Sequence, residues 1–278
     1  MIQGTHAGFT TTLDDAGILE IRFDRPERLN GMTVDLKRDL IEALTQAQMA
    51  PEVRVVLFVG SGRAFSAGDD LGGYTERGRS GAPSTPEIHP GHDSGIGTYA
   101  ALRTISQRVN RAVRDLDKLT VAAINGLAIQ TGFSLALACD FRIAARSARL
   151  GSATLRFALL PDEGGHYLLV QHLGVAGAMD FLMRKRIVEA ERALELGLVH
   201  EVVDDVLLEA EARSLAEELA CGPQTAMRML KRSLYAAADT QLASAFDDIA
   251  ARTAVTDHHP DAREGVAAYR EKRDPRFD

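Results

Sequence analysis

Apolar positions along this chain follow two spacings, and each spacing predicts a different kind of element. Residues 10–13 and 17–23 flank an Asp-Asp-Ala-Gly turn signal and predict two strands. The short, β-branched, apolar run 53–59 is typical of a buried parallel strand. Between them Thr33 can cap a helix whose apolar residues lie three and four apart. That stripe consists of Leu36, Leu40, Ala43, Leu44 and Ala47. Strand, helix and strand in this order predict a βαβ unit of an α/β protein.

The same reading extends to the rest of the chain. Spacing of three and four predicts a helix over 102–116, and later stretches predict strands at 141–145, 149–151 and 199–203. Helices are predicted at 165–173, 175–184 and 189–197. From Val206 onward the apolar pattern is helical and predicts no strand. We therefore expect a core over residues 1–205 and a C-terminal helical region over 206–278.

Residues 72–97 interrupt this pattern. They are rich in Gly and Pro and hold hardly any large apolar side chain, so they predict a long loop. Loops of this length in compact folds are usually mobile or functional. His89 and His92 lie in the loop without clustered Cys, Asp or Glu, which favours solvated histidines over a metal site.

Composition narrows the class of protein. The 278 residues carry a net charge of -7, which argues against nucleic acid or an anionic membrane as the main partner. No apolar run approaches the roughly 20 residues of a spanning helix, and the N-terminus lacks a signal-peptide pattern. The 2 cysteines show no metal spacing, so a reduced, cytoplasmic protein without a metal is expected. Cys139 lies in an apolar segment, which favours a packed thiol over a nucleophile.

Residues 122–139 carry the first candidate chemistry. An apolar strand passes the Asn-Gly turn at 125–126 and reaches Thr131-Gly132, where a helix of small residues begins. The N-terminus of a helix offers free backbone N–H groups at the positive end of the helix dipole. Such a site suits an oxygen that becomes anionic. A buried strand-to-helix corner without a ligand is the alternative.

A second stretch, Gly-Arg-Ala-Phe-Ser-Ala-Gly-Asp-Asp-Leu at 62–71, follows the strand at 53–59. Together the two stretches resemble the crotonase (enoyl-CoA hydratase/isomerase) superfamily, in which each supplies one N–H to a thioester oxyanion hole. The resemblance implies the N–H groups of Ala67 and Thr131 as donors. Further matching segments lie at 24–30, 193–199 and 264–273, in family order.

The resemblance implies a fold, a substrate and an assembly. The fold is a crotonase-like spiral of repeated β-β-α units, and the C-terminal helices pack on neighbouring subunits in a homotrimer or hexamer. Those helices folding onto their own core is the alternative. The substrate is an acyl-CoA thioester, with coenzyme A as part of it and no prosthetic group. The loop at 72–97 becomes a lid over the acyl chain. The implied substrate-binding residues are Arg28, Ser66, Gly68, Gly132, Ser134 and Thr154.

The sequence departs from the family at the two positions that supply the carboxylates for hydration. Hydration of an enoyl-CoA uses two carboxylates that flank the double bond. Ser134 and Thr154 occupy the positions that match them. The pKa of an unperturbed hydroxyl is far too high for it to act as a base near pH 7. Simple hydratase activity is therefore not expected.

Asp162 and Glu163 are the candidate catalytic acids. The segment Pro-Asp-Glu-Gly-Gly-His at 161–166 resembles an isomerase branch at Asp162 and a β-diketone hydrolase branch at Glu163. Either acid before Gly-Gly could instead cap the following helix. Because near-adjacent carboxylates seldom face the same way, we expect one of the two to line the pocket. His166 either faces that pocket or is a satisfied helix histidine.

Three functions remain open at this level. The first is an acyl-CoA isomerase, or a diverged hydratase or lyase, that stabilises a thioester enolate. The second is a carbon–carbon hydrolase that acts on a β-diketone. The third is a non-catalytic acyl-CoA binder that kept the oxyanion hole and lost its acids.

Overall fold

The computed structural model describes residues 2–70 and 94–277. The core strands are β1 (Gly4–His6), β2 (Phe9–Leu13), β3 (Ile18–Phe23), β4 (Val55–Gly60), β5 (Ala64–Ser66), β6 (Leu119–Ile124), β7 (Leu127–Ile129), β8 (Phe141–Ala145), β9 (Arg149–Gly151), β10 (Ile187–Glu189) and β11 (Glu201–Val203). The helices are α1 (Val34–Met49), α2 (Gly95–Ala101), α3 (Gln107–Asp115), α4 (Thr131–Ala138), α5 (Gly165–Met183), α6 (Ala190–Glu195), α7 (Leu208–Cys221), α8 (Gln224–Ala237), α9 (Leu242–Asp257) and α10 (Pro260–Glu271). Leu102–Ser106 forms a π-helical link between α2 and α3.

Two sheets build the core of the molecule. One sheet has the order β1-β2-β3-β4-β6-β8-β11, and the smaller one has the order β10-β9-β7-β5. The pairs β4–β5, β6–β7 and β8–β9 each place their first strand in the large sheet and their second in the small sheet, and a helix follows each pair. This repeat confirms the predicted α/β spiral of β-β-α units. Strands β4 and β6 are buried along their whole length, as the apolar run of β4 predicts.

Most predicted elements are present with nearly the expected bounds. The strands at 141–145 and 149–151 match their predictions, and the predicted strand at 199–203 is shorter, covering 201–203. The helices predicted at 165–173 and 175–184 are the two halves of α5. They join at Gly174, whose φ of 65° is outside the helical region and therefore breaks the helix.

The predicted lid lies mostly outside the described residues. Its last residues, 94–97, open α2, where the Ser94 hydroxyl accepts a hydrogen bond from the Gly97 N–H at 3.1 Å. Within the described chain, no helix is long and apolar enough to cross a membrane. Cys139 is buried against the Leu135 carbonyl, and burial raises the pKa of its thiol to about 12, as expected for a packed residue.

A buried polar cluster fixes the C-terminal helices to the core. Asp140, between α4 and β8, accepts hydrogen bonds on one oxygen from the N–H and hydroxyl of Thr120, each at 2.8 Å. Lys231 of α8 lies 2.8 Å from the same oxygen and also donates to the Lys118 carbonyl. The Tyr235 hydroxyl binds the other oxygen. The side chains of Lys231 and Asp140 are 3% and 9% exposed, so this ion pair is largely desolvated.

The outer face of the C-terminal helices is apolar and uncovered. All described residues after 205 are helical or irregular, as predicted, while the boundary between the core and the helical region stays a prediction. None of the residues of α9 is buried in the single chain. Leu230, Leu234, Leu242, Phe246 and Ile249 are all exposed.

Candidate active site

The first turn of α4 presses against β5. A Cβ on Gly132 would lie 2.2 Å from the Ser66 carbonyl oxygen, so only glycine fits here. Gln130 before the helix has a φ of 57° and a ψ of -119°, which turns the chain sharply out of β7. Within the described chain, the N–H of Thr131 has no hydrogen-bond partner. The helix N-terminus thus presents a free donor beside the segment that follows β5, as the sequence predicts.

In the segment after β5, the free N–H group differs from the predicted one. The N–H of Ala67 donates to the Leu29 carbonyl at 3.0 Å, so it is already occupied. Gly68, with a φ of 101°, donates to the Ser66 hydroxyl at 3.3 Å. Among the described residues it is the N–H of Asp69 that has no partner, although its neighbours Gly68 and Asp70 both bond to Met32. The free donor in this loop is therefore two residues beyond the predicted one.

A side-chain network joins the two free donors. The Thr131 hydroxyl donates to Oδ1 of Asp69 at 2.7 Å, and Lys37 Nζ of α1 lies 2.8 Å from the same oxygen. Lys37 also donates to Ser106 at 3.1 Å, and its side chain is only 4% exposed. The sequence analysis did not identify this lysine, because a charged residue on a helix is usually exposed, whereas Lys37 is buried. This contact needs a hydroxyl at position 131.

The carboxyl group of Glu163 contacts α4. Its Oε1 accepts a hydrogen bond from the Ser134 hydroxyl at 2.6 Å, and Gln130 Nε2 lies 3.5 Å from Oε2. Glu163 is 2% exposed. Burial raises the pKa of Glu163 to about 8, and the negative charges of Asp162 and Asp69 act in the same direction. The Ser134 hydroxyl, which favours the ionised form, opposes this shift without cancelling it.

Asp162 belongs to the same cluster. Although the residue is exposed, partial burial of its carboxyl group raises its pKa. A hydrogen bond with Glu163 lowers the pKa, the Asp69 charge raises it and the Lys37 charge lowers it. The two acids therefore influence the pKa of one another, and the Asp69 charge raises the pKa of both. Which of them lines the substrate pocket stays a prediction.

The loop that carries both acids is held from α3. Gln107 Nε2 donates to the Asp162 carbonyl at 3.0 Å, and Asn110 Nδ2 donates to the Glu163 carbonyl at 2.9 Å. The N-cap of α5 is Gly164, and no side chain caps that helix. The alternative in which an acid of this pair serves only as the helix cap is therefore not what the structure shows.

A small cavity lies next to this cluster. It measures about 240 Å³ and its surface is mostly apolar. Thr154 is at its wall, and its hydroxyl lies 3.2 Å from Ser152, which in turn bonds to Gln130 at 3.3 Å. His166 also lines the cavity, with Nδ1 3.0 Å from the Pro161 carbonyl. His166 thus has a backbone partner, as a satisfied histidine would. That it faces the same pocket as the acids stays a prediction.

Arg28 lies apart from the acids. Its Nη2 is 2.8 Å from Oδ1 of Asp70, and Arg25 binds the other oxygen of Asp70 at 2.8 Å. Asp70 thus anchors the loop that follows β5. About half of the Arg28 side chain is exposed, so its charge remains accessible to a ligand. Near the C-terminus, Arg273 pairs with Glu264 and Glu271 of its own helix region.

The geometry supports one kind of chemistry. Two partnerless backbone N–H groups on adjacent segments can stabilise a negative charge that develops on a carbonyl oxygen. Beside them a carboxyl group with a pKa near 8 can hold or exchange a proton near neutral pH. Together these groups suit proton transfer next to an activated carbonyl group.

Known proteins are similar along nearly the whole chain. The family model described as enoyl-CoA hydratase/isomerase matches residues 14–278. A probable enoyl-CoA hydratase of Rhodobacter capsulatus is 34% identical over 261 residues, which are 94% of each chain. The 1,2-epoxyphenylacetyl-CoA isomerase of Escherichia coli K12 is 34% identical over 266 residues, which are 95% of each chain.

Solved structures agree with these relatives. A putative enoyl-CoA hydratase of Streptomyces coelicolor superposes with a TM-score of 0.89 at 30% identity, covering 99% of this chain and 96% of that one. An enoyl-CoA hydratase of Bacillus anthracis superposes with a TM-score of 0.86 at 30% identity, covering 98% and 99%.

Proposed function

Because this chain belongs to the enoyl-CoA hydratase/isomerase family, we propose that it is an enzyme acting on an acyl-CoA thioester through an enolate. The thioester oxygen binds to the N–H groups of Asp69 and Thr131. The observation that carries this proposal is that these two donors, and not that of Ala67, lack partners in the described residues. Polarising the carbonyl acidifies the α-carbon, so a nearby carboxylate can remove its proton.

Asp162 and Glu163 divide the proton transfer between them. A pair of coupled carboxyl groups whose environments differ has one acid and one base at the same pH. Glu163, with its pKa near 8, is mostly protonated at pH 7 and returns a proton to carbon. Asp162 is the more exposed of the two and takes the α-proton. Ser134, which stands at the position of the first hydratase acid, holds Glu163 in that place instead.

We infer that the reaction is an isomerisation more than a simple hydration. A double-bond shift needs only removal and return of a proton, which one acid pair supplies. Hydration also needs a water held between two acids on opposite sides, and Thr154 offers a hydroxyl at the second position. The relatives include an isomerase and a probable hydratase at the same 34% identity, so this choice rests on the acids and not on the relatives.

Two alternatives have specific support. A carbon–carbon hydrolase acting on a β-diketone would use Glu163 and His166, and His166 lines the cavity next to the acids. A non-catalytic acyl-CoA binder would need only the two donors. The substrate-binding roles of Arg28, Ser66, Gly68, Gly132, Ser134 and Thr154 remain part of the acyl-CoA proposal. Ser66 and Gly132 fit it best, because their contact sets the distance between the donor segments.

We expect the protein to bind hexanoyl-CoA and to exchange its α-protons with solvent deuterium. The oxyanion hole and the acid pair act before any later step, so exchange does not depend on the natural acyl group. Calorimetry measures the binding, and mass spectrometry of the thioester in D₂O measures the exchange.

Hexanoate without coenzyme A is the control ligand, and it should not bind. Binding with no exchange would support the non-catalytic binder. Binding of a cyclic β-diketone in place of any acyl-CoA would overturn the proposal in favour of the hydrolase.

We also propose that the chain forms a homotrimer or hexamer through its C-terminal helices. The exposed apolar side chains of α8 and α9 would be buried in such an assembly, and exposed apolar patches can mark interfaces. Sedimentation at micromolar concentration should show a species of three or six chains. Replacing Leu234 and Phe246 by Asp should dissociate it, whereas Met49→Asp at the exposed end of α1 should not. A monomeric wild-type protein would end this proposal.

A further inference from the structure

We propose that Lys37 is a positioning residue that neutralises the Asp69 carboxylate beside the oxyanion hole, and so permits negative charge to develop there. The inference rests on the proposed function and adds a residue to it. Lys37 touches neither proposed donor N–H; it acts through the side chain of the residue that supplies one of them.

Two donors meet on one oxygen of Asp69. Oδ1 of Asp69 receives Lys37 Nζ at 2.8 Å and the Thr131 hydroxyl at 2.7 Å. Asp69 and Thr131 are also the residues whose backbone N–H groups are free. Their side chains therefore link the two donor segments, and the lysine holds that link from α1 with Ser106 as its second partner.

The charge balance gives the lysine a role beyond this link. Asp69 carries its negative charge on the same residue as one donor, so an unneutralised carboxylate would repel an enolate oxygen bound there. The site already holds Asp162 and Glu163, and the Asp69 charge raises the pKa of both. Lys37 is 3% exposed and paired with Asp69, and its charge also lowers the pKa of Asp162. Burying a cation costs free energy unless the cation is paired, and Asp69 is the partner that compensates the burial of Lys37.

A purely structural ion pair and an electrostatic one predict different results. Lys37→Met and Asp69→Asn break the same ion pair, so a structural role predicts similar losses. In the electrostatic role, Lys37→Met leaves an unpaired anion beside the developing oxyanion, whereas Asp69→Asn leaves a cation. Asn can still accept the Thr131 hydroxyl, which keeps the link between the donors.

The experiment compares α-proton exchange of hexanoyl-CoA in D₂O for these variants, with binding measured separately by calorimetry. We expect Lys37→Met to slow exchange of bound hexanoyl-CoA by about 10²-fold, the size of effect typical of a lost oxyanion donor. Asp69→Asn should slow it by about tenfold or less, and the double variant should match Asp69→Asn. Affinity should change little in each case. Arg38→Met, the neighbouring exposed residue on α1, is the matched control and should behave as wild type.

Equal losses in the two single variants, or full exchange in Lys37→Met, would overturn the inference while the proposed function stands. If wild-type protein neither binds hexanoyl-CoA nor exchanges it, the proposed function fails and the inference fails with it. Should Lys37→Met not fold, the double variant still decides. Exchange 10²-fold slower than in Asp69→Asn would contradict the inference, because a neutral Asn needs no counter-charge.

Discussion

Asp162→Asn and Glu163→Gln are each expected to slow α-proton exchange by about 10²- to 10⁴-fold, the range that a general acid or base contributes. Each amide keeps the size of the side chain and removes its proton chemistry. Glu163→Gln should also remove from the pH–rate profile the limb near pH 8, where the native carboxyl loses its proton. Wild-type exchange should fall as pH rises through that limb, because Glu163 acts in its protonated form. Exchange measured from pH 5 to 10 tests both effects, with affinity followed in parallel.

Ser134→Ala and His166→Gln are the matched controls for this prediction. Ser134 orients Glu163 and does not itself transfer the proton, so its loss should cost much less than loss of the acid. His166 should matter only if the hydrolase alternative is correct. If both amide variants keep full exchange, the acid pair has no catalytic role and His166 becomes the next candidate.

Lys231→Met is expected to lower the free energy of unfolding by about 3–5 kcal/mol, which is typical when one partner of a buried ion pair is removed. The substitution leaves the Asp140 carboxylate, 9% exposed, without its cation. The remaining hydrogen bonds from Thr120 and Tyr235 stabilise that charge only in part. Urea unfolding at one fixed protein concentration measures the loss, because an assembling protein depends on concentration.

The control for this variant is Lys231→Met combined with Asp140→Asn. The double variant carries no unpaired buried charge, so it should recover much of the lost stability. Arg111→Met, in an exposed pair with Asp115, should change stability by less than about 1 kcal/mol. If Lys231→Met changes stability as little as Arg111→Met, the cluster does not anchor α8.

The fold was largely predictable because local sequence patterns predict its main helices and strands. The strand at 53–59 is a short apolar run and the stripe of α1 has the helical spacing, so both are recognisable in the sequence. The break at Gly174 separates two predicted helices. The strands missed were β1, β5, β7 and β10, each of 3 residues. Such short strands carry no period, and they form because the spiral brings their partners alongside.

The candidate site was predictable where a motif fixed a backbone position. Thr131 and the acid pair follow from motifs, whereas the loop donor was placed two residues early, at Ala67. Which N–H of a loop remains free depends on its partner elsewhere, here the Leu29 carbonyl. Lys37 was not predictable, because its partner Asp69 is distant in sequence and meets it only in the folded chain.

Burial of Glu163 also has a thermodynamic consequence for the whole molecule. Its carboxyl group titrates near 4.5 in an exposed chain and near 8 in the native protein, so folding between these values takes up a proton. Below the lower value the group is protonated in both the folded and the unfolded state, so its protonation does not make stability depend on pH. As pH rises through the interval the unfolded chain gains the advantage of an ionised, hydrated carboxylate, and native stability falls until pH passes 8. The raised pKa that keeps Glu163 protonated near pH 7 therefore also lowers the stability of the native protein at alkaline pH.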